Sequence, residues 1–177
     1  MIGLFDNDTF LLNEKTLPAD EIIPEKLACK TKLNIYGGLD KLKTRICLRG
    51  DMQIKDDFIS WSPTASTRLL KCFIADAAKN TSKIYQLYFV QAFIQYKATK
   101  RSKSWYDTIH SFLSNKLSFQ RSRVGGCLYI YRKANDWVKL INYVDDVLYY
   151  ASSEKIREDF ELSLKNRFNL TLLGEAK

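Results

Sequence analysis

The chain has 177 residues, of which 46% are hydrophobic and 13% aromatic, with three prolines and seven glycines. This composition excludes an intrinsically disordered chain and predicts one sizeable core, or two small subdomains that share one. The formal net charge is +8, with the basic excess in positions 51–150, and such a surface either suits a polyanion such as nucleic acid or consists of ordinarily solvated lysines.

The residue types that are present also bear on which metal the protein can bind and on its cellular compartment. The four cysteines fall singly and the sole histidine is His110, which argues against a zinc site and for reduced thiols. The N-terminus lacks the basic and apolar segments of a signal peptide, and no apolar stretch approaches the ~20 residues of a membrane span. We therefore expect a soluble, intracellular protein without a membrane contact.

The first sixty residues predict irregular chain with short strands. Strand candidates are Thr9–Leu12, Leu33–Tyr36 and Leu42–Leu48. Gly37 and Gly38 predict a turn that joins the last two strands into a hairpin. Strand alternation places three cations, Lys43, Arg45 and Arg49, on one face. These cations could grip a triphosphate or could form a solvated strand edge, and the residues alone leave both interpretations open.

The remainder of the chain predicts helices that alternate with strands. Apolar residues at helical spacing, preceded by hydroxyl capping residues, predict a first and a third helix, and a second helix shows the same spacing. Runs of β-branched and aromatic residues predict the strands. The helices are expected at 67–79, 105–117 and 154–168, and the strands at 84–90, 127–131, 137–144 and 169–173.

The central stretch of the chain is Lys139–Tyr150, in which two apolar runs flank Asp145 and Asp146. This pattern predicts a tight β-hairpin with both carboxylates at its tip. Paired carboxylates on a rigid hairpin can hold divalent metals such as Mg²⁺ for phosphoryl or nucleotidyl transfer. The alternative is that Asp-Asp is ordinary turn chemistry.

These elements together predict an α+β fold, in which an antiparallel sheet has helices packed on one face. The Asp145-Asp146 hairpin would lie at one edge of that sheet.

Five short motifs, taken in their order along the chain, resemble the reverse transcriptase domain of copia-type LTR retrotransposons. They are Lys43–Asp51, Trp61–Arg68, Ser104–Tyr106, Tyr143–Asp146 and Leu173–Glu175. The first resembles the family's basic finger strand, the second the start of its Ser-Pro helix, and the fourth its catalytic box. A set of ordered motifs is far more specific than any one of them.

The resemblance implies a palm-and-fingers polymerase fragment over residues 5–177, after a tail at 1–4. Residues 5–60 would form a fingers-like hairpin region, and 61–177 a palm-like region. Asp145 and Asp146 would then be catalytic and Mg²⁺-binding carboxylates.

Three further positions resemble nucleotide-binding residues of the family. Lys43 and Arg45 are similar to the finger residues that contact the incoming dNTP, and Phe93 to the aromatic residue that excludes a ribose 2′-hydroxyl. The implied partners are an RNA template, a DNA primer and a dNTP, in the cytoplasm or in a virus-like particle.

Two departures from the family pattern bear on activity. Tyr88 stands where the family has its first catalytic aspartate, and the letters that follow it keep the register. A phenol is protonated near pH 7 and is a poor ligand where a carboxylate is wanted. A basic loop near 99–104 replaces a longer family segment that positions template and nucleotide.

The resemblance therefore implies a remnant of an RNA-directed DNA polymerase, impaired or inactive in this copy. Two other interpretations stay open. The chain could be a non-catalytic, basic palm fragment that binds nucleic acid, or an unrelated α+β binding module whose Asp-Asp pair is a turn.

Overall fold

The computed structural model describes residues 24–49, 52, 63–90, 92 and 104–176. The described residues fall into two compact units, one within 11–58 and the other within 59–177.

The described part of the smaller unit is an antiparallel hairpin of β1 (Glu25–Leu33) and β2 (Leu39–Leu48). The predicted strand Leu33–Tyr36 is wrong, because the turn begins at Asn34. The Asn34 side-chain oxygen accepts hydrogen bonds from the backbone N–H groups of Tyr36 and Gly38, at 2.9 Å each. This local bonding competes with strand pairing and starts the turn three residues before the glycines that suggested it.

The described part of the larger unit contains the remaining strands and three α-helices. The helices are α1 (Thr67–Lys79), α2 (Ser104–Ser111), which continues into a π-helical segment (Phe112–Lys116), and α3 (Glu154–Lys165). The strands are β3 (Tyr85–Phe89), β4 (Gln120–Arg121), β5 (Leu128–Lys133), β6 (Asp136–Tyr143), β7 (Asp146–Ala151) and β8 (Leu170–Glu175). All but β4 lie close to the predicted positions.

Capping hydroxyls define the starts of two helices, as the sequence predicts. The Ser66 hydroxyl accepts from the Leu69 N–H at 3.2 Å, and α1 spans the predicted residues 67–79. The Ser153 hydroxyl accepts from the Ile156 N–H at 3.4 Å. Helix α3 ends three residues before the predicted position 168.

Strands β3 to β8 form one antiparallel sheet in the order β4-β5-β6-β7-β3-β8. The hairpin arms β6 and β7 are therefore interior strands. The expectation that this hairpin lies at a sheet edge is wrong, since β3 pairs with β7 and β5 pairs with β6. Only the turn of the hairpin reaches a border of the sheet, at the ends of its strands.

Helices cover both faces of this sheet, so the predicted packing on one face is wrong. Val138 and Leu140 lie in a core cluster with residues of α2 and α3. Ile141 and Tyr150 lie in a second cluster on the opposite face, against Phe73 of α1. Interior strands with apolar residues on both faces need a covering layer on each face, because an uncovered face would expose apolar side chains to water.

No helix in the described part of the chain is long and apolar enough to cross a membrane.

Candidate functional site

The turn between β6 and β7 consists of Val144 and Asp145. Tyr143 and Asp146 form the last paired positions below it. The prediction that both carboxylates lie at the tip is therefore wrong by one residue, because Asp146 is already the first residue of β7. Asp145 is half-buried and Asp146 is exposed.

Val144 has an unusual backbone conformation, with φ of +56°. A two-residue hairpin turn with positive φ at its first position normally has glycine there. For a β-branched residue this conformation is strained, at a cost of about 1–3 kcal/mol, and such strain persists only where surrounding structure imposes it. The valine side chain packs against the core below the turn.

Two hydrogen bonds fix the backbone of this turn. The indole N–H of Trp105 donates to the carbonyl oxygen of Val144 at 2.9 Å. The backbone N–H of Phe89 donates to the carbonyl oxygen of Asp145 at 2.8 Å. Both turn carbonyls are thus bound by neighbouring elements, one by α2 and one by β3, so the carboxylates stand on a rigid support.

Trp105 is itself held firmly. Its side chain is buried and packs edge-on against Phe89 and Phe168, with ring centroids 5.0 and 5.7 Å away. Aromatic pairs in this geometry stabilise each other beyond their buried area. The sequence analysis included Trp105 in the predicted helix 105–117 and in the Ser104–Tyr106 motif, but no local signal identified its hydrogen bond to the turn.

Tyr88 lies beside the carboxylates. In the sheet it is the Cα partner of Asp146 on the adjacent strand, a relationship that corresponds to a spacing of about 4.5–5.5 Å. Because paired residues point to the same face, Tyr88 and Asp146 share the α1 side of the sheet. The pairing therefore puts Tyr88 at the base of the Asp-Asp hairpin.

The described residues around the turn do not supply all the ligands that a two-metal site needs. Carboxylate oxygens suit Mg²⁺, and Asp145 and Asp146 supply two such groups. Their paired neighbour is a phenol, and within the described residues no three Asp, Glu, His or Cys side chains cluster closely enough to hold a metal ion. Magnesium binding by this pair therefore stays a prediction.

Two of the three predicted nucleotide-binding residues lie in the described part of the chain. Lys43 and Arg45 lie on β2 in the smaller unit, and both occupy the face that the sequence predicted. Phe93 lies outside the described residues.

A charged cluster that the sequence did not predict lies on the same face of the sheet. Asp76 of α1 accepts hydrogen bonds from the Lys139 ammonium and the Tyr150 hydroxyl through one carboxylate oxygen. Lys139 and Tyr150 are cross-strand partners. One feature of the sequence indicates this cluster, because Lys139 is a cation in the middle of an apolar strand. A cation that is buried in this way requires a polar or acidic partner.

These contacts set the ionisation of the cluster. Hydrogen bonds from Lys139, and then from Tyr150, lower the pKa of Asp76, because they stabilise its charged form. Burial, followed by the bond to Asp76, raises the pKa of Tyr150. The cluster ties α1 to the sheet.

Comparisons of the chain with protein-family models, with curated proteins and with solved structures find no match.

Proposed function

We propose that this chain is a polymerase palm related to the reverse transcriptases of copia-type retrotransposons, in a copy that has lost nucleotidyl transfer. One observation carries the proposal, the pairing of Tyr88 with Asp146. The motif register assigns Tyr88 to the position of the family's first catalytic aspartate. That position must lie beside the Asp-Asp pair if the register is correct.

This pairing is a strict requirement of the alignment with the family's motif. The two residues are far apart in sequence, and β3 could have occupied another place in the sheet. Backbone pairing of β3 with β7 brings Tyr88 to the base of the turn. The bonds from Phe89 and Trp105 to the turn carbonyls add the rigidity that a metal-binding hairpin needs. An Asp-Asp pair that served only as a turn would require neither feature.

The same position explains why catalysis is lost. Two-metal nucleotidyl transfer depends on holding both cations while charge develops on the transferred phosphoryl group. With a phenol at position 88, two of the family's three carboxylates remain. Loss of one preorganised electrostatic element typically lowers a rate by ~10²–10³, and a missing metal ligand should lower it further.

Primer extension on an RNA template with Mg²⁺ tests this proposal. Three proteins are compared: the unmodified chain, Tyr88→Asp, and Tyr88→Asp with a family-type segment inserted after Thr99. We expect no extension by the first and a measurable rate only after the changes are combined. Asp145→Asn in the most active protein is the matched control and should abolish extension. Extension by the unmodified chain that Asp145→Asn removes would overturn the proposed loss of activity.

A second candidate function, nucleic-acid binding without catalysis, is favoured by the β1–β2 hairpin. One face of this hairpin carries six cations, Lys26, Lys30, Lys32, Lys41, Lys43 and Arg45. Five of them are exposed and Lys43 is half-buried. Two cross-strand pairs, Lys30 with Lys43 and Lys32 with Lys41, place like charges opposite each other. Such pairs destabilise a hairpin, and a polyanion on this face would offset the repulsion.

The salt dependence of binding tests this second function. Neutralising three lysines in Lys30→Gln/Lys32→Gln/Lys41→Gln should reduce the slope of log affinity against log salt by about 2–3, similarly for unrelated sequences. The matched control Lys79→Gln/Lys155→Gln/Lys165→Gln removes the same charge from the other unit. Equal slopes for the two triple variants would show that the hairpin face is not the binding surface.

A further inference from the structure

An apolar cleft in the described part of the larger unit lies away from the Asp-Asp turn. It has a volume of about 520 Å³, within the range of about 300–1,000 Å³ that is typical of small-molecule sites. Its walls come from α3, from the β5–β6 hairpin and from the segment that follows the π-helical turns. Nothing in the polymerase proposal uses this cleft.

The floor of the cleft is aromatic. Phe119 lies between Tyr131 and Phe160, with ring centroids 5.6 and 5.5 Å away. Phe119 and Phe160 are almost fully buried, and Tyr131 is half-buried. Ile156 and Ser163 of α3 complete the wall on the helix side. Flat aromatic and aliphatic surfaces of this kind accept a hydrocarbon or aromatic ring.

Local backbone geometry keeps the cleft open. Ser118 has φ of +59°, which reverses the chain directly after the π-helical segment. The Phe119 N–H then donates to the Leu113 carbonyl at 2.9 Å, which turns the phenylalanine ring back onto the core. The chain therefore leaves Lys116 at the rim while Phe119 forms the floor.

The rim is predominantly cationic. Lys116, Arg132 and Lys133 line the cleft and are exposed, and Asp159 is the one carboxylate among the lining residues. No ion pair joins any of these three cations to another described residue. The rim thus carries an excess of positive charge above an apolar floor.

We propose that this cleft binds a small amphipathic anion, with an aromatic or acyl body on the Phe119 floor and a carboxylate, sulfonate or phosphate at the rim cations. The apolar body supplies affinity through buried area, and the cations orient the head group at the mouth of the cleft. The proposal rests only on the cleft and is independent of the polymerase proposal.

Binding of 8-anilinonaphthalene-1-sulfonate to the full-length chain, followed by its fluorescence, tests this site. Lys116→Gln/Arg132→Gln/Lys133→Gln should weaken binding about tenfold, given three exposed charge contacts. The control Lys79→Gln/Lys155→Gln/Lys165→Gln, which removes equal charge elsewhere, should change affinity less than about twofold. Ser163→Phe fills the cleft while all charges remain, and it should abolish binding.

A competition on the unmodified chain gives a second measurement that does not depend on variant folding. Octanoate should displace the probe, whereas octanol at the same concentration should not, because only octanoate satisfies the rim cations. Cooperative thermal unfolding of each protein verifies that the probe reports a folded state. Equal weakening by both triple variants, or equal displacement by octanol, would overturn the proposed site.

Discussion

The indole of Trp105 donates its hydrogen bond to the carbonyl of Val144, the residue with the strained backbone at the turn beside Asp145. A buried side chain from α2 thus supports the one position of the hairpin that its own sequence disfavours. The contact helps to fix the backbone that carries the Asp145 carboxylate, because Asp145 follows Val144 directly in the chain.

Replacing Trp105 with Phe should destabilise the protein through this bond. The change leaves the Val144 carbonyl without its donor and opens space beside Phe89, so we expect a loss of about 2–4 kcal/mol in the free energy of unfolding. Urea denaturation measures it. Trp137→Phe is the matched control, since no described residue accepts a hydrogen bond from that half-buried indole, and it should cost clearly less. Equal losses for the two variants would contradict a specific role of the Trp105 bond.

Asp76 should make stability depend on pH at the acid end. Because its pKa is lowered in the folded state, its ion pair stabilises the protein above the unfolded pKa of about 3.9. That contribution is lost as the pH falls through the folded pKa. The Asp76 side chain is 41% exposed, so solvent screening keeps the effect small, at about 1 kcal/mol or less.

Urea denaturation at a series of pH values between 7 and 2 measures this effect. Asp76→Asn keeps an acceptor for Tyr150 and removes the charge, so the variant should be less stable than the unmodified chain near pH 7 and should approach it in acid. Asp136→Asn, at an exposed strand end, is the control and should show no such convergence. A difference for Asp76→Asn that is independent of pH would contradict the ion pair.

Glu161 should contribute strongly to the attachment of α3. Its carboxylate is buried and accepts from the Tyr149 hydroxyl at 2.7 Å and from the Arg157 guanidinium at 2.5 Å. Glu161→Gln leaves a buried cation with a weaker acceptor, and we expect a loss of about 1–3 kcal/mol. The exposed Glu158 bonds the same guanidinium at 3.4 Å, so Glu158→Gln should cost under about 1 kcal/mol. A double-mutant cycle with Arg157→Gln would assign the coupling.

Buried phenols should resist ionisation in the folded protein. Burial raises the pKa of Tyr129, Tyr149 and Tyr150 far above the ordinary value of about 10. A group whose folded pKa is raised stabilises the fold below its unfolded pKa, so stability should fall as the pH rises above about 10. In an absorbance titration these three should ionise only with unfolding. Tyr149→Phe should therefore leave the absorbance change that precedes unfolding unaltered.

The sequence by itself determined the local elements of the larger unit. Helix α1 has its predicted bounds because the Ser66 cap and the apolar spacing act between residues that are neighbours in the chain. The hairpin arms β6 and β7 were predicted for the same reason. The turn was misplaced by one residue, since local propensity would not assign a left-handed conformation to Val144.

Only the tertiary structure decided how these elements meet. Apolar alternation indicated that strands were buried, but not that α1 covers one face while α2 and α3 cover the other. Alignment with the family's motif implied that Tyr88 lies beside the carboxylates. In the structure, the pairing of β3 with β7 makes Tyr88 the neighbour of Asp146 in the sheet. Strand pairing uses backbone N–H and C=O groups, which nearly all residue types share. The sequence of a strand therefore does not specify which other strand will pair with it. The bond from Trp105 to the turn and the bonds from Lys139 and Tyr150 to Asp76 likewise join distant segments, and they exist only once the core has brought those segments together.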